Sequence, residues 1–447
     1  MLRRILIANR GEIAVRVIRA CREMGITSIA VYSTADEDSL HAALADESIC
    51  IGPPEPSKSY LNIPAIISAA EITDAQGIHP GYGFLSESPK FAGICRDCNI
   101  KFIGPTPEAI MLSGDKAACR KAVAAAGVPI VPGSDGLIDD PDKILGLAKK
   151  IGYPLLVKAA AGGGGKGMRI AHNDATLKHS ITMASNEAEA AFGDGGVYLE
   201  KFVDNARHVE VQIMADEHGR TVAFGERECS IQRRHQKLIE EAPSVALTSS
   251  LRAKMCKAAL KAARAIGYTN AGTVEFLLAP NGQFYFIEFN ARIQVEHPVT
   301  EQVTGIDLVR EQLRVASGEP LGYSSVKVTG HAIEARIYAE DPERNFMPSP
   351  GVIKSCHMPG GPGVRVDSHL FAGYEVPRYY DSLLAKVIAT GKDRDQAIER
   401  LGGALDEFII EGVSTTAKLC ARIVRGDRFR RGDLGPDLLA EYLPKHG

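Results

Sequence analysis

Apolar residues at the start of the chain follow the spacing of a strand, then a helix, then a second strand. Segment 4–9 is a short apolar run, and segment 28–32 is another. Between them, segment 12–24 places apolar residues on one face at helical spacing: Ile13, Val17, Ala20 and Met24. The pattern predicts a β-α-β unit and therefore a Rossmann-like N-terminal domain. Asp36 follows the second strand as in dinucleotide folds, but no GxGxxG precedes it, so NAD binding is disfavoured.

Breaks in the pattern divide the rest of the chain. A length of 447 residues suggests roughly three domains. An alanine-rich helix is predicted from about residue 115 to Gly127, and glycine and serine residues mark a boundary at 321–330. We predict an α/β (α+β) chain of three domains, in which the central domain contains a smaller subdomain at about 130–203. The three domains span residues 1–114, 115–330 and 331–447, the last being rich in short strands.

A run of four glycines follows a predicted strand in the central domain. Lys158 ends the apolar strand 154–158, and segment 159–168 reads AAAGGGGKGM. Such a loop can close over a polyphosphate with its backbone N–H groups. It is not a Walker A loop, because Gly167 rather than serine or threonine follows Lys166. Phosphate contact is favoured over the alternative, a disordered hairpin tip.

Two glutamates are predicted to face each other across a hairpin. Asn281-Gly282 is the strongest short hairpin signal, and a two-residue turn there places Glu275 opposite Glu288. The same register places apolar side chains beside the glutamates: Leu277, Phe284 and Phe286. Facing carboxylates repel and need a compensating cation, so the pair predicts a magnesium site. The alternative is a solvated pair in a different register, since Pro280 could lengthen the turn.

Polar and apolar residues alternate directly after the second glutamate. If the strand continues, its polar face carries Asn290, Arg292, Gln294 and Glu296. An arginine fork, an amide and a carboxylate beyond a metal pair could hold a small planar anion with a general base beside it. Bicarbonate would satisfy that arrangement. The alternative is an amphipathic edge strand whose polar face lies in water.

Three polar segments stay ambiguous on their residues alone. Segment 226–241 is a solvated basic face or a phosphate site, with these polar residues: Arg227, Gln232, Arg233, Arg234, His235 and Lys237. Glu200 and Lys201 follow a predicted strand at 197–199. They indicate either a hinge where an adenine amino group meets the backbone or the polar start of a helix. The loop at 78–87 is a candidate site or a plain structural turn. Its polar residues include His79, Tyr82 and Glu87.

The charge balance disfavours several classes of partner. The 52 basic and 55 acidic residues are mixed along the chain, with a net charge of -3, so no global field favours nucleic acid or an anionic membrane. No apolar stretch approaches the roughly 20 residues that span a bilayer. The nine cysteines lack the paired spacing of a disulfide framework or zinc ribbon, which fits reduced thiols in a cytoplasm. A small ligand or a protein partner is expected.

With these residues in hand, the chain closely resembles the biotin carboxylase family of the ATP-grasp fold, from Ile5 to beyond Arg336. The matching stretches are ANRGEIA at 8–14, HPGYGFLSE at 79–87, GGGGKGM at 162–168, ECSIQRRHQK at 228–237, NARIQVEHPVTE at 290–301 and EARIYAEDP at 334–342. The departures are mild: Lys166 stands where arginine is common, and Phe289 and Ala291 replace other residues on the back of the predicted strand.

The resemblance implies an ATP-grasp fold with a Rossmann-like N-terminal domain, a mobile lid at about 130–203 and a mixed C-terminal domain. It implies an ATP- and bicarbonate-dependent carboxylation of biotin through carboxyphosphate. The implied ATP contacts are Lys116, Lys158, Gly164, Gly165, Met168, Glu200, Lys201, His208, Gln232, His235, Glu275 and Glu288. Magnesium or manganese would be held by Glu275, Glu288 and Asn290. Bicarbonate would be held by Arg292, Gln294 and Val295, with Glu296 as its base and Lys237 beside the transferred phosphate. Tyr82 and Arg336 would face biotin.

The resemblance also implies protein partners. No Met-Lys-Met biotin-attachment motif occurs, so biotin would arrive on a separate carrier protein. Carboxyltransferase subunits and a homodimer are expected, and the acceptor stays open between acetyl-CoA in fatty acid biosynthesis, another acyl-CoA, and pyruvate. A different ATP-grasp ligase would share the glycine loop and metal pair but not RIQVEHPVTE or Arg336. A non-catalytic nucleotide-sensing module would lack Glu275, Glu288 or Glu296, and all three are present.

Overall fold

Parallel strands and helices alternate in the first part of the chain. A computed structural model describes residues 1–134, 136, 141–159, 168–192, 195–234, 236–435 and 437–443. The first strands are β1 (Arg4–Ile7), β2 (Thr27–Tyr32), β3 (Glu47–Cys50), β4 (Gly77–His79) and β5 (Lys101–Phe102). The first helices are α1 (Gly11–Glu23), α2 (Leu40–Leu44), α3 (Ile63–Ile72), α4 (Pro89–Asp97) and α5 (Pro107–Gly114). The strands form one parallel sheet in the order β3-β2-β1-β4-β5, which confirms the predicted Rossmann-like start.

A small antiparallel sheet with two packed helices follows. Helix α6 (Lys116–Ala125) precedes this sheet, and its two packed helices are α7 (Pro141–Ile151) and α8 (Asp174–Phe192). Its strands are β6 (Leu155–Ala159), β7 (Met168–Ala171) and β8 (Val197–Lys201), in the order β7-β6-β8. Leu155, Val157 and Leu199 are buried in a separate core. β8 is longer than the predicted strand at 197–199, so Glu200 and Lys201 lie inside it and do not start a helix.

The next segment builds most of a large sheet. Its strands are β9 (Arg207–Ala215), β10 (Thr221–Arg233), β11 (Gln236–Ala242), β12 (Asn270–Leu278), β13 (Phe284–Asn290) and β14 (His331–Tyr338). The helices of this segment are α9 (Ser249–Ala265), α10 (His297–Thr304) and α11 (Leu308–Ala316). The side chain of Asp307 accepts the Arg310 N–H at the start of α11, and Thr248 caps α9 in the same way, which fixes where these helices begin.

Within the described residues, the last part of the chain adds many short strands and three α-helices. Its strands are β15 (Glu340–Asp341), β16 (Met347–Pro348), β17 (Gly351–Val352), β18 (Ser355–His357), β19 (Val364–Ser368), β20 (Glu375–Val376), β21 (Leu383–Gly391) and β22 (Ile409–Glu411). Its helices are α12 (Arg394–Glu407), α13 (Ala417–Arg425) and α14 (Asp427–Arg430). The large sheet has the order β13-β12-β9-β10-β11-β14-β21-β19. Because β11 pairs with β14, this sheet continues across residue 330, where the sequence predicts a domain boundary.

The middle strands of the large sheet bury polar side chains as well as apolar ones. On β9, Val209 and Val211 join the core shared with the N-terminal sheet, while Glu210 and Gln212 are also fully buried. Side chains alternate between the two faces of a strand, so one face of β9 is apolar and the other is polar. A buried polar face is costly unless its groups are paired, which makes it the place to look for a site.

Two global features complete the fold. Among the residues that the structure describes, no helix is both long enough and apolar enough to cross a membrane. The nine cysteines all lie within the described ranges and all are free thiols.

Candidate active site

The facing glutamates lie where the sequence predicts them, although the turn does not. Glu275 pairs with Glu288 across β12 and β13. The loop spans three residues, 280–282, and not two, because the Ala279 N–H donates to the Gln283 carbonyl at 2.8 Å. Gly282 adopts a φ of 81°, which suits glycine. A β-bulge next to Glu275 compensates the extra loop residue and restores the predicted pairing of the glutamates.

The same bulge changes which aromatic rings lie near the carboxylates. Phe276 pairs with Phe286, one position away from the predicted register. Phe284 and Phe286 therefore lie behind the glutamates and not beside them, with ring centroids 5.5 and 6.5 Å from that of Phe276. The prediction for these two rings is wrong because the register is shifted on the turn side of the bulge.

The chain leaves the sheet after Asn290, so the predicted continuation of the strand to Glu296 is wrong. β13 ends at Asn290 and α10 begins at His297. Ala291 and Ile293 are buried in two different hydrophobic cores, so the segment that connects β13 to α10 packs against the protein. We call residues 291–296 the connecting loop.

Polar side chains of the connecting loop still converge as the sequence predicts. Arg292 Nη1 donates to Gln294 Oε1 at 2.7 Å, and Gln294 Nε2 donates to Glu275 Oε1 at 3.2 Å. Glu87 clamps the loop from the N-terminal domain, since it accepts the Ala291 N–H at 3.0 Å and Arg292 Nε at 2.9 Å. The loop at 78–87 therefore contacts the connecting loop directly.

Lys237 lies between three carboxylates from three different elements. Its Nζ donates to Glu210 at 2.6 Å, to Glu296 at 2.6 Å and to Glu275 at 3.1 Å. Burial lowers the pKa of Lys237, but the three carboxylates outweigh burial and raise it well above its usual value. The lysine is therefore held charged at the centre of the cluster.

Arg336 joins the same cluster from β14. One of its nitrogens lies 2.8 Å from Glu296 Oε2 and 2.6 Å from Glu240 Oε1. Burial alone would raise the pKa of Glu296, but Lys237 and Arg336 outweigh it and hold this pKa well below its usual value. Glu296 is therefore an ionised, fully buried carboxylate whose proton affinity depends on two neighbouring cations.

The two facing glutamates have opposite environments. Glu275 lies 2.9 Å from His208 Nε2, and its Oε1 accepts hydrogen bonds from Lys237 and, at 2.8 Å, from Asn290 Nδ2. Burial raises its pKa, but Lys237 and His208 lower it further than burial raises it. Within the described part of the chain, the one cationic group within 4 Å of Glu288 is Lys116, at 3.8 Å. Burial and the charge of Glu275 raise the pKa of Glu288.

The donor set around Glu288 suits a hard divalent cation. Glu288 is partly exposed, and its negative charge is poorly compensated. The side-chain amide oxygen of Asn290 accepts only a long contact of 3.4 Å from Arg292. Carboxylate and amide oxygens are the ligands that Mg²⁺ prefers. A second group of ligand atoms, from His208, Glu210 and Glu275, lies within 4.8 Å of one another. Glu210 is already neutralised there by Lys237 and by Arg227, so the oxygen set at Glu275, Glu288 and Asn290 fits a metal better.

The small antiparallel sheet presents a separate charged cluster. Lys158 Nζ lies 2.5 Å from Glu200 Oε2, and Arg120 lies 2.5 Å from Glu200 Oε1. Lys201 instead donates to the carbonyls of Gly152 and Tyr153, at 3.0 and 2.6 Å, so its side chain points away from that cluster. Met168 is the strand partner of Lys158.

The remaining predicted ATP contacts fall into two groups. Asp115 caps α6 by accepting two backbone N–H groups, which places Lys116 in the first turn beside Glu288. Gln232 Nε2 lies 3.1 Å from His208 Nδ1, so these two side chains are neighbours. Gly164, Gly165 and His235 lie outside the described residues, together with the rest of segment 160–167, which contains the glycine run at 162–165.

Tyr82 is fixed by contacts of both its backbone and its hydroxyl group. Asn9 Nδ2 donates to the carbonyls of Pro80 and Tyr82, each at 2.7 Å. A Cβ atom at Gly81, whose φ is 61°, would lie 2.8 Å from the same nitrogen, so this close approach requires glycine. The Tyr82 hydroxyl donates to Glu12.

Sequence reasoning missed two buried glutamates and left Arg227 ambiguous. Glu210 binds Lys237, and Glu240 binds Arg336. Arg227, which the sequence allowed as part of a solvated face, is fully buried and donates to Glu210 at 2.5 Å. The alternation of polar His208, Glu210 and Gln212 along one strand was the available signal for Glu210.

These observations define a class of protein. A Rossmann-like domain precedes a small sheet bearing Lys158, and a hairpin bearing two facing glutamates lies on a larger sheet. Residues 115–324 match the family model "Carbamoyl-phosphate synthase L chain, ATP binding domain". The chain is an ATP-grasp enzyme.

The flanking segments identify the family within that class. Residues 1–110 match "Biotin carboxylase, N-terminal domain", and residues 334–441 match "Biotin carboxylase C-terminal domain". The chain belongs to the biotin carboxylase family.

Three relatives show how far the similarity extends. A biotin carboxylase from Nostoc sp. is 56% identical over 98% of this chain and 98% of that protein. One subunit of the pyruvate carboxylase from Methanothermobacter thermautotrophicus is 52% identical over 99% of this chain and 90% of that protein. The biotin carboxylase domain dimer of Hydrogenobacter thermophilus 2-oxoglutarate carboxylase, solved with MgADP, ADP and bicarbonate, has a TM-score of 0.92 and 46% identity, covering 99% of this chain and 98% of that chain.

Proposed function

We propose that this chain uses ATP and bicarbonate to carboxylate biotin that is attached to a separate carrier protein. The observation that carries the proposal is the position of Glu296, an ionised buried carboxylate between Lys237 and Arg336. Arg292 and Gln294, which bond to each other nearby, supply the fork and the amide for a planar anion. Together these residues can bind bicarbonate, take its proton and stabilise a developing charge.

The first step needs a base and a cationic environment. Glu296 accepts the proton of bicarbonate, whose oxygen then attacks the γ-phosphate of ATP to form carboxyphosphate and ADP. Lys237 neutralises charge on the transferred phosphate. Arg336, which lies near both Glu296 and Glu240, has its proposed role in the second step.

The second step transfers the carboxyl group. Carboxyphosphate breaks down to carbon dioxide and phosphate, and the phosphate takes the proton from the biotin nitrogen. Arg336 then stabilises the enolate-like oxygen of biotin while the nitrogen attacks carbon dioxide. Tyr82 contacts biotin from the N-terminal domain.

A divalent cation fits Glu275, Glu288 and Asn290, and when bound it supplies electrostatic stabilisation of the phosphate oxygens. Lys116, Lys158 and His208 would contact the phosphates or ribose of ATP. Glu200, Lys201 and Met168 lie on the small sheet, which we propose as the lid over the adenine end. We propose the predicted domain boundaries at residues 114 and 330 as part of the same assignment.

A comparison of ATP cleavage with and without bicarbonate tests the proposed chemistry. The wild-type chain with Mg²⁺ should release ADP at a rate that depends on bicarbonate. E296Q removes the base but keeps the shape of the side chain, so it should lose about 100-fold or more of that activity, the scale of general base catalysis. E217Q, at an exposed glutamate in the turn after β9, is a matched control and should retain it. Equal activity of E296Q and wild type would contradict the proposal.

The partners follow from the proposed reaction. A biotin carboxyl carrier protein presents the biotin, carboxyltransferase subunits use the product, and the chain forms a homodimer, as in the dimer of the Hydrogenobacter relative. The favoured acceptor system is acetyl-CoA carboxylase. Pyruvate carboxylase is the second candidate, since the Methanothermobacter relative belongs to a pyruvate carboxylase. Subunits that co-purify with the tagged chain from its own cells distinguish the two systems.

A further inference from the structure

Lys386, on β21, is a fully buried lysine that the proposed reaction does not use. Its Nζ donates to the Val295 carbonyl at 2.9 Å and lies 3.1 Å from Glu12 Oε1. Asp367 is farther away, at 3.9 Å, and Arg365 already donates to both of its oxygens. A buried ammonium group is costly unless it is paired, so Glu12 is its principal partner.

The contact with Val295 reaches the proposed base through the backbone. The Val295 carbonyl and the Glu296 N–H belong to one planar peptide group. A bond that holds this carbonyl therefore also fixes the peptide plane from which the Glu296 side chain extends. Val295 itself is a predicted contact of bicarbonate, so the lysine acts on both the substrate's binding group and its base.

The contact with Glu12 reaches the proposed biotin side of the site. Glu12 lies in the first turn of α1, and the oxygen near Lys386 also accepts the Tyr82 hydroxyl. One ammonium group is thus joined to the connecting loop in one direction and to Tyr82, through Glu12, in the other. Lys386 also lies directly opposite Arg336 in the sheet, so the pairing of β14 with β21 fixes its place relative to that arginine.

We propose that Lys386 and Glu12 are positioning residues that hold the bicarbonate and biotin subsites in a fixed relation to each other. This inference rests on the proposed function. The charged pair stays in the protein interior and touches no reacting atom. Its effect is to keep the Val295 peptide and the Tyr82 ring at the separation that the transfer of carbon dioxide to biotin requires.

The test compares a neutral double variant with the wild-type chain. K386M/E12Q removes both charges together, so neither is left buried without its partner. We expect it to fold and to keep its KM for ATP, while its KM values for bicarbonate and for free biotin each rise about tenfold, the equivalent of about 1.4 kcal/mol per subsite. R394M/E241Q removes another buried ion pair, with an N–O distance of 2.8 Å, and serves as the matched control. It should lose similar stability without either change in KM.

Each outcome separates the inference from the proposed function. Absence of bicarbonate-dependent ATP cleavage in the wild-type chain would overturn the proposed function itself. Wild-type cleavage together with unchanged KM values in K386M/E12Q would overturn only the inference. If the double variant does not fold, E12Q alone decides the matter. It leaves the Lys386 bond to Val295 in place and should raise the KM for biotin more than that for bicarbonate, and a larger rise for bicarbonate would overturn the inference.

Discussion

Among the glutamates that face each other across strands of the large sheet, two pairs have opposite characters. Glu275 and Glu288 pair at the β12–β13 edge, where Glu288 is partly exposed. Glu240 and Glu334 pair across β11 and β14 and are both completely buried. The same strand geometry therefore produces one pair that an external cation can reach and one that it cannot.

The compensation of the second pair comes from within the protein. Arg336 lies within ion-pair distance of Glu240, at 2.6 Å, although neither glutamate has a hydrogen-bond partner for its oxygens among the described residues. Burial raises the pKa of Glu240 to about 7 and that of Glu334 well above its usual value, although Arg336 and Lys386 oppose these shifts. The raised pKa favours the neutral acid at Glu334. Of these two pairs, the first therefore offers the more accessible and more poorly neutralised carboxylate to a metal.

The largest effect is expected at the accessible pair. E288Q halves the negative charge that is available to a divalent cation and should abolish ATP turnover, with a loss of about 100-fold or more. Steady-state assays over a range of Mg²⁺ concentrations measure this loss. Unchanged turnover at ordinary Mg²⁺ would contradict the assignment of this pair to the metal.

The second effect divides the two half-steps. R336A should spare most of the bicarbonate-dependent ATP cleavage while losing about 100-fold of biotin carboxylation, because the proposed role of Arg336 begins after carboxyphosphate forms. Arg336 also neutralises Glu240 and Glu296, so a melting curve must show that the variant is folded. An equal loss of both activities would count against this division of labour.

The sequence could predict the first glutamate pair but not the second, and the reason is distance along the chain. Glu275 and Glu288 are joined by a short hairpin whose turn residues signal the pairing. Even there, the loop length was wrong, and the pairing survived because a bulge cancelled the error. Glu240 and Glu334 are brought together by strands that are distant in sequence, and no local pattern encodes that register.

The connecting loop shows the same limit from another direction. The period-two pattern predicts that Arg292, Gln294 and Glu296 share one face of a strand. The structure brings these side chains together around Glu275 and Lys237, but on a loop. The chain instead turns away at Asn290 because its apolar residues are buried in the protein and α10 begins at His297. The polar pattern thus indicated which side chains lie close together, whereas tertiary packing determined the conformation of their backbone.

A smaller effect concerns pH and the buried pair. The pKa of Glu240 is about 7 in the folded chain, above its ordinary value of 4.5. The folded state therefore binds the proton more tightly than the unfolded state, so the contribution of this group to stability is lost as the pH rises from about 4.5 to about 7. Denaturant unfolding of wild type and E240Q across this window should show wild type losing stability relative to the variant. Parallel stability curves would contradict the raised pKa.

The smallest effect is expected at Glu334. Because its raised pKa favours the neutral carboxyl group, E334Q should replace one neutral group by another of similar size and change the free energy of unfolding by less than about 1 kcal/mol at neutral pH. ATP turnover should stay near that of wild type. A loss of several kcal/mol would indicate that Glu334 is ionised and that the two pairs are more alike than their surroundings suggest.

The fate of labelled carbon tests the central claim most directly. The purified chain is incubated with ATP, Mg²⁺, free biotin and ¹⁴C-bicarbonate, and acid-labile label on biotin is measured beside the release of ADP. The account predicts labelled carboxybiotin that forms only when ATP is present and that disappears in E296Q. Bicarbonate-dependent ADP release without any label on biotin would contradict the assignment of Arg336 and Tyr82 to a biotin site.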